Sequence, residues 1–361
     1  MKTDKEKQHY VPKFYLRHFS FENNLRQIGI FNLEKSFYFP NSKLKTQAYN
    51  PYFYGEDGVL ENILAGIEGH EATLLRRMIG DNFIPTRLSK EHVELMSFIL
   101  LLQLRNPKAS QRTNESFDSL VKEIYGKSNE FKEVLKESTF FIKNAIGISI
   151  SMLKKGLEFC GDLSYKLIVN KTSVPFITSD NPLVKYNQFM EMNQYPRGST
   201  GFASLGLQMF LPICPEKMII VFDPWSYKVG SQKKAVVQTS DIKDINQLNL
   251  LQMLNCNQTV FFNHKMTKEA LEELNKNSKR YERPHQVVTK EFHNVKRNGR
   301  IEDNSSVIMH TTTECRIKLN LTFIKLTDRA KFFKVDKGVV QVREHCKSLG
   351  KPNGDLFDVS L

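Results

Sequence analysis

The sequence predicts an α+β fold: a helical N-terminal half packed on a small mixed or antiparallel sheet, with a β-rich C-terminal appendage. Three observations predict it. From residue 57 to about 160, apolar residues recur at the 3.6-residue period of amphipathic helices. Near 163 the texture changes to short β-rich runs separated by Pro, Asn, Asp and Gly. The 361 residues, 40% hydrophobic and 25% charged, have the balance of a globular chain able to bury a sizeable core.

Residues 8–54 are aromatic-rich and punctuated by Pro12, Pro40 and Pro51. Pro12 suits the first turn of a helix, on which Tyr15, Leu16 and Phe19 share a face. Gln27–Leu33 and Ser36–Phe39 read as short strands around a Glu34-Lys35 turn. Leu60, Ile63, Leu64, Ile67, Leu74, Leu75 and Met78 then form a helical stripe, and Pro85 breaks it. Ser89 suits the N-cap of a helix running to Arg105. Between Val93 and Leu104 that helix is apolar nearly all round, so it belongs at the centre of its domain. Pro107 ends it, and helices follow at roughly 114–125, 128–143 and 145–159.

In the second half, Ser164–Val169, Pro175–Thr178, Leu207–Pro212 and Lys217–Phe222 read as strands. Asp241–Asn255 reads as a helix, Thr259–Phe262 as a strand and Thr267–Asn277 as a helix. Residues 306–343 are β-rich again, with alternation from Cys315 to Ile324. The stretch 278–305 is polar and basic. The organisation expected is a mixed body over 1–277 (helical at 57–160, β-rich at 163–265), a basic linker or arm at 278–305, and an appendage at 306–361.

Composition narrows the function classes. The net charge of +13 excludes an acidic, solvating protein and favours an anionic partner. Five scattered cysteines with no C-x-x-C pair fit reduced thiols better than a disulfide framework or a zinc site. The charged N-terminus has no apolar core of a signal peptide, and no apolar run approaches the ~20 residues that span a bilayer. A cytoplasmic protein without a membrane partner is expected. The P-loop, G-x-G-x-x-G, H-E-x-x-H and G-x-S-x-G patterns are all absent.

Several polar residues stand where bulk burial would not put them. His9, in the aromatic opening Gln8-His-Tyr-Val-Pro12, has a side chain suited to acid or base work near neutral pH, or to capping a core carbonyl. Gln103 and Arg105 follow five consecutive apolar residues; a guanidinium there needs a carboxylate or phosphate, or it caps the helix end. Glu61 and Glu68 lie two turns apart on one helix face. They could serve a metal or acid/base chemistry, although a solvated face is the better reading. Asp180 ends the strand-like Phe176–Thr178 run in Ser179-Asp180-Asn181-Pro182, a presentation that suits a catalytic carboxylate and equally an Asx-turn. Lys296, Arg297 and Arg300, with other dispersed basic pairs, suit a nucleic-acid backbone.

The order of these segments resembles the uncharacterised bacterial family DUF4238. The resemblance runs from Gln8-His-Tyr-Val-Pro-Lys-Phe-Tyr-Leu-Arg-His-Phe19 through Glu68, Gln103-Leu-Arg105-Asn-Pro107, Phe176-Ile-Thr-Ser-Asp-Asn-Pro182 and Leu211-Pro-Ile-Cys-Pro215 to the strand Thr259–Phe262. It covers about residues 8–265, and 266–361 have no counterpart. The resemblance supplies no reaction. It raises His9, Tyr10, Glu68, Gln103, Arg105, Ser179, Asp180, Asn181 and Asn249 together as family-like positions. Cys214 stands where the motif more often reads Ser, which argues against a nucleophilic thiol.

If these groups converge, they suit phosphodiester chemistry. His9 would be the acid/base, Arg105 would hold the phosphate, and Asp180 would orient His9 or hold a metal, with Glu68 beside them. Tyr10, Gln103, Ser179, Asn181, Asn249, Lys296, Arg297 and Arg300 would bind substrate. The leading expectation is a nuclease-like phosphodiesterase acting on RNA or DNA in a bacterial defence or toxin setting. The alternative is a non-catalytic nucleic-acid- or partner-binding module in which the same residues form a buried structural network. A hydrolase of a small anionic metabolite is a third. The cofactor is left open, since a divalent metal is compatible but no ligand signature marks one, and so is the oligomeric state.

Overall fold

The computed structural model describes residues 3–126, 132–196, 198–283, 314–337 and 340–349, apart from the Lys132 and Lys136 side chains, and only the backbone of 287–293, 296–297, 300–301 and 306–312. The side chains of Lys296, Arg297 and Arg300 therefore lie outside the described residues.

The chain opens with β1 (Lys7–His9), α1 (Lys13–Leu16), β2 (Gln27–Asn32), β3 (Phe37–Lys43) and β4 (Tyr49–Pro51). The helical part follows as α2 (Val59–Asp81), α3 (Lys90–Leu104), α4 (Pro107–Tyr125), α5 (Lys132–Glu137), α6 (Ala145–Ser151) and α7 (Leu153–Phe159). Next come β5 (Ser164–Asn170), β6 (Thr178–Ser179), β7 (Val184–Tyr186), α8 (Gln188–Met192), β8 (Gln208–Cys214), β9 (Lys217–Phe222), β10 (Tyr227–Val229) and β11 (Val236–Thr239). After α9 (Ile242–Asn255), β12 (Thr259–Phe262) and α10 (Lys268–Ser278) lie the backbone-only β13 (Val287–His293), β14 (Lys296–Arg297), β15 (Arg300–Ile301) and β16 (Ser306–Thr312). The chain returns through β17 (Ile324–Leu326), α11 (Asp328–Phe332) and α12 (Glu344–Leu349).

The fold is α+β. Its centre is a mixed sheet of order β11-β5-β9-β8-β7, parallel only at β11–β5. Side chains alternate across it, and both faces are covered. Leu167, Met209, Leu211, Ile219 and Val221 enter one core with α1, α2 and α3. Ile168, Phe210, Met218, Ile220 and Phe222 enter the other with α9 and the C-terminal residues Ile317, Leu319, Leu321 and Phe323. That is why β8 is buried at every position. A second, antiparallel sheet, β3-β2-β12-β6, buries Phe31, Val260 and Phe262 beneath α10.

Local signals account for several boundaries. Ser89 caps α3, accepting from the His92 N–H at 3.1 Å, and Thr267 caps α10 through Ala270 at 3.2 Å. Pro107, however, starts a helix as well as ending one. Asn106 accepts the Ala109 N–H at 3.0 Å as N-cap, with Pro107 in the first helical position, so α4 begins well before 114. Ile63 is 56% exposed, although it belongs to the apolar stripe of α2. The Cys315–Ile324 alternation is real as burial but forms no ladder up to Asn320. The Tyr186 hydroxyl accepts the Ile317 N–H at 3.1 Å, and Asp244 accepts from the Thr322 N–H at 2.9 Å. Side chains thus take the place of a neighbouring strand. Arg343 fixes the C-terminal return: it pairs with Asp162 at 3.0 Å and donates to the Ser204 and Phe202 carbonyls at 2.9 and 2.8 Å.

Candidate functional site

The opening motif is a clamp. Gln8 lies in β1, and its side chain reads the backbone of the 54–55 turn: Oε1 accepts the Tyr54 N–H at 2.5 Å and Nε2 donates to the Gly55 carbonyl at 3.0 Å. Beyond it, the His9 carbonyl accepts from Arg105 Nη2 at 2.9 Å. Arg105 is the residue at which α3 terminates, and it is 2% exposed. Its Nε donates to the Tyr54 hydroxyl at 3.0 Å, and Nη2 also pairs with Glu68 Oε1 at 2.9 Å. The guanidinium therefore meets a carboxylate, as a buried arginine requires, and ties α2, α3 and the opening strand together.

The His9 imidazole turns elsewhere. Its Nε2 lies 3.3 Å from the Lys45 carbonyl, which can only accept, so the nitrogen carries the proton. The ring packs against Tyr49, 5.6 Å between centroids. Burial, and next the charge of Lys13, lowers its pKa to about 4. The unfolded chain takes up this proton near pH 6.5, the folded chain only near 4. His9 thus contributes stability above pH 6.5 that is lost as pH falls to about 4. His9→Asn should reduce the loss of urea resistance between pH 7 and 4.5. An unchanged acid sensitivity would count against this account.

The Ser-Asp-Asn-Pro segment is fastened to α9 and to the turn after it. Ser179 donates to Gln252 Oε1 at 3.0 Å, and Asn249 accepts the Ile177 N–H at 3.0 Å while donating to the Pro175 carbonyl at 2.9 Å. Asn181 donates to the Asn255 carbonyl at 2.9 Å and accepts from Asn106 at 3.0 Å. Asp180 takes three backbone N–H groups, those of Asn257, Gln258 and Thr259, at 2.6, 2.9 and 3.0 Å. Burial nevertheless raises its pKa, because desolvation outweighs these bonds. Gln103 is buried, and its carbonyl accepts from Asn106 at 3.1 Å.

The three motifs thus meet, but through carbonyls and neighbouring amides: Arg105 on the His9 backbone, Asn106 on Asn181. Imidazole, guanidinium and carboxylate each bond to a different partner. What opens beside them is a cleft of about 660 Å³ lined by Tyr10, Lys108, Gln111, Asp180, Cys256, Asn257, Gln258 and Arg283. Tyr10 and Asp180 are singled out in the sequence and Arg283 falls within the basic stretch 278–305, whereas Lys108 is not singled out. Lys108 sits in the first turn of α4 and is 6% exposed. Its Nζ has no hydrogen-bond or ion-pair partner among the described residues. Burial, then the charges of Arg112 and Arg283, lowers its pKa to about 8. Arg283 donates to the Leu254 and Asn257 carbonyls at 3.3 and 3.1 Å, fixing the far wall.

Thiol chemistry finds no support here. Burial pushes the Cys214 thiol up to about 12, and Cys256 is also raised by burial and by Asp180. Among the described residues no group of three or more His, Cys, Asp or Glu is placed to hold a metal ion. Nor is any helix among them long and apolar enough to cross a membrane.

The chain matches no curated protein and no solved structure. Residues 7–266 match a family model, spanning the clamp, the Arg105 node, the fastened Ser-Asp-Asn-Pro segment and both sheets. The chain belongs to the family described as protein of unknown function, DUF4238.

Proposed function

We propose that the protein is a nuclease-like phosphodiesterase acting on RNA or DNA, with its working groups in the Tyr10–Lys108–Asp180 cleft rather than around the His9 ring. One observation carries this reading: the Lys108 ammonium is buried at the edge of a cleft with no partner among the described residues. The Asp180 carboxylate across the cleft acts on it without direct contact, and a buried charge that lacks a direct hydrogen-bonded partner is costly. At the first turn of a helix it also opposes the positive end of the helix dipole. A phosphate entering the cleft would meet the ammonium, that helix end and the Arg283 side, and would relieve both costs. In this reading Lys108 holds the phosphate and stabilises its charge. Asp180, aimed by its three N–H bonds, would accept a proton from the attacking water.

A second reading, a nucleic-acid-binding module without turnover, is favoured by those same three bonds, since both Asp180 oxygens are already engaged. One variant tests both readings. Lys108→Met keeps the length of the side chain, removes the charge, and should leave thermal stability equal or higher. Binding of short labelled single-stranded RNA and DNA should weaken at least about tenfold, as for the loss of a buried charge-assisted contact. Cleavage by the wild type that disappears in Lys108→Met supports the phosphodiesterase. Tight, salt-sensitive binding without cleavage gives the module. Unchanged binding in the variant rejects the cleft as the phosphate site.

A further inference from the structure

The cleft at the start of α4 holds an amine in the surroundings of a nucleophile. Lys108 lines the cleft, and its Nζ has no hydrogen-bond or ion-pair partner among the described residues. Ser20 Oγ, Glu71 Oε1 and Arg112 Nε are sealed without partners, but Lys108 Nζ is not sealed and keeps a face toward the cleft. A ligand can therefore reach it.

Its neighbours favour the neutral amine. Burial acts first; Arg112, one turn further along α4, and Arg283, beyond α10, then add their positive charges. Cys256, at the end of α9, and Asp180, just after β6, pull the other way and do less. The first turn of α4 adds the positive end of its dipole. Together they bring the pKa from 10.5 to about 8. At pH 7.5 about a quarter of such a group is free amine, against about one part in a thousand at the ordinary value. A desolvated lysine beside other cations is the usual preparation of an amine that attacks a carbonyl.

We propose that the cleft forms an imine: Lys108 attacks an aldehyde lying beside a phosphate, as a strand presents it in the opened sugar of a nucleotide that has lost its base. The proposal rests on the phosphate reading of the cleft for what brings the strand there. The ammonium form draws the phosphate in; the amine form attacks, and the charge of Arg283 and the first turn of α4 stay on the phosphate. Nζ bonds to C1′, and the aldehyde oxygen leaves as water, giving an iminium. The C2′ proton, acidified by the iminium, passes to solvent in the cleft. Its electron pair moves into the new double bond, the C3′–O bond breaks, and the phosphate leaves as the 5′-phosphate of the downstream strand. Water then hydrolyses the imine, returning the amine and an unsaturated aldehyde. No oxidant or reductant is consumed.

Trapping with cyanoborohydride, which reduces an imine to a stable secondary amine, tests this when the adduct is mapped by mass. The probes are a deoxyoligonucleotide with one abasic site, pyridoxal 5′-phosphate and pyridoxal. Lys108 should be the first lysine trapped at pH 7.5, with a half-point near pH 8 where an ordinary lysine has 10.5. Lys108→Arg keeps the charge and cannot form an imine. It should lower the adduct and the cleavage of the abasic strand at least about tenfold, while binding of that strand stays within about threefold. Lys108→Met, checked by its melting temperature, takes its place if the arginine does not fit. Adducts on exposed lysines with none on Lys108, or abasic cleavage unchanged in Lys108→Arg, overturn the imine and leave the phosphate cleft standing. Pyridoxal trapped on Lys108 as readily as its phosphate keeps the imine and overturns the phosphate reading. Trapping of pyridoxal 5′-phosphate but not of the abasic strand overturns the strand as substrate and assigns a small phosphorylated aldehyde. Cleavage of abasic strands with intact strands untouched supports the imine and overturns hydrolysis.

Discussion

Arg105→Met should lower the unfolding free energy by about 3 kcal/mol, the lower end of the 3–5 kcal/mol seen when a buried ion pair is broken from one side. The lower end applies because Glu68, its side chain 29% exposed, can rehydrate once the guanidinium is gone. The Tyr54 hydroxyl loses its donor, and the His9 carbonyl loses the shorter of its two, keeping the Tyr54 hydroxyl at 3.2 Å. Arg105→Lys keeps the charge but not the planar fork that serves three acceptors, so it should recover only part of the loss. Urea unfolding at fixed pH measures both. A loss below about 1 kcal/mol in Arg105→Met, together with lost nucleic-acid cleavage, would instead return Arg105 to the substrate.

Glu71→Met should act in the opposite direction and only above acid pH. Glu71 lies on α2, three residues beyond Glu68, 2% exposed, its Oε1 without a partner among the described residues. Burial pushes its pKa up to about 8, with Arg105 pulling down and Glu68 and Glu94 pushing up. The folded chain therefore keeps a proton that the unfolded chain releases near pH 4.5. Stability falls as pH rises from about 4.5 to about 8, by at most ~1.4 kcal/mol per pH unit, and is flat above. Methionine removes the titration. The variant should match the wild type at pH 4.5 and exceed it by on the order of 3 kcal/mol at pH 9. Denaturation midpoints at pH 4.5, 7 and 9 are the measurement, and an effect uniform across pH would reject the account.

Much of the fold was legible because local and global signals agree. Lys217–Phe222 and Thr259–Phe262 are short apolar runs between turn formers, and both are strands with those bounds. Asp241 and Thr267 announce helices and cap them. What was not legible depends on tertiary partners. Val184–Tyr186 is too short to declare itself and becomes a strand by pairing with β8. The site divides in the same way. Residue types in the opening motif marked a special place, but which atom of His9 does the bonding is a property of the fold. Lys108 did leave a signal. Asn106-Pro107 is a cap followed by a first-turn proline, so Lys108 had to fall in the first turn of a helix, where a positive charge is out of place.

The C-terminal return has a consequence for how the chain is made. One face of the central sheet, with Phe210, Ile220 and Phe222, is closed by Ile317, Leu319, Leu321 and Phe323. A ribosome adding roughly 5–20 residues per second needs several seconds to deliver the hundred or so residues between them. Until residues 317–323 arrive, that face is covered only in part, α9 being among what lies on it, although the part of the chain that its family shares is complete by residue 266. Synthesis, rather than the finished molecule, is where this face is most exposed to misassociation, and the arrival of residues 317–323 ends that exposure.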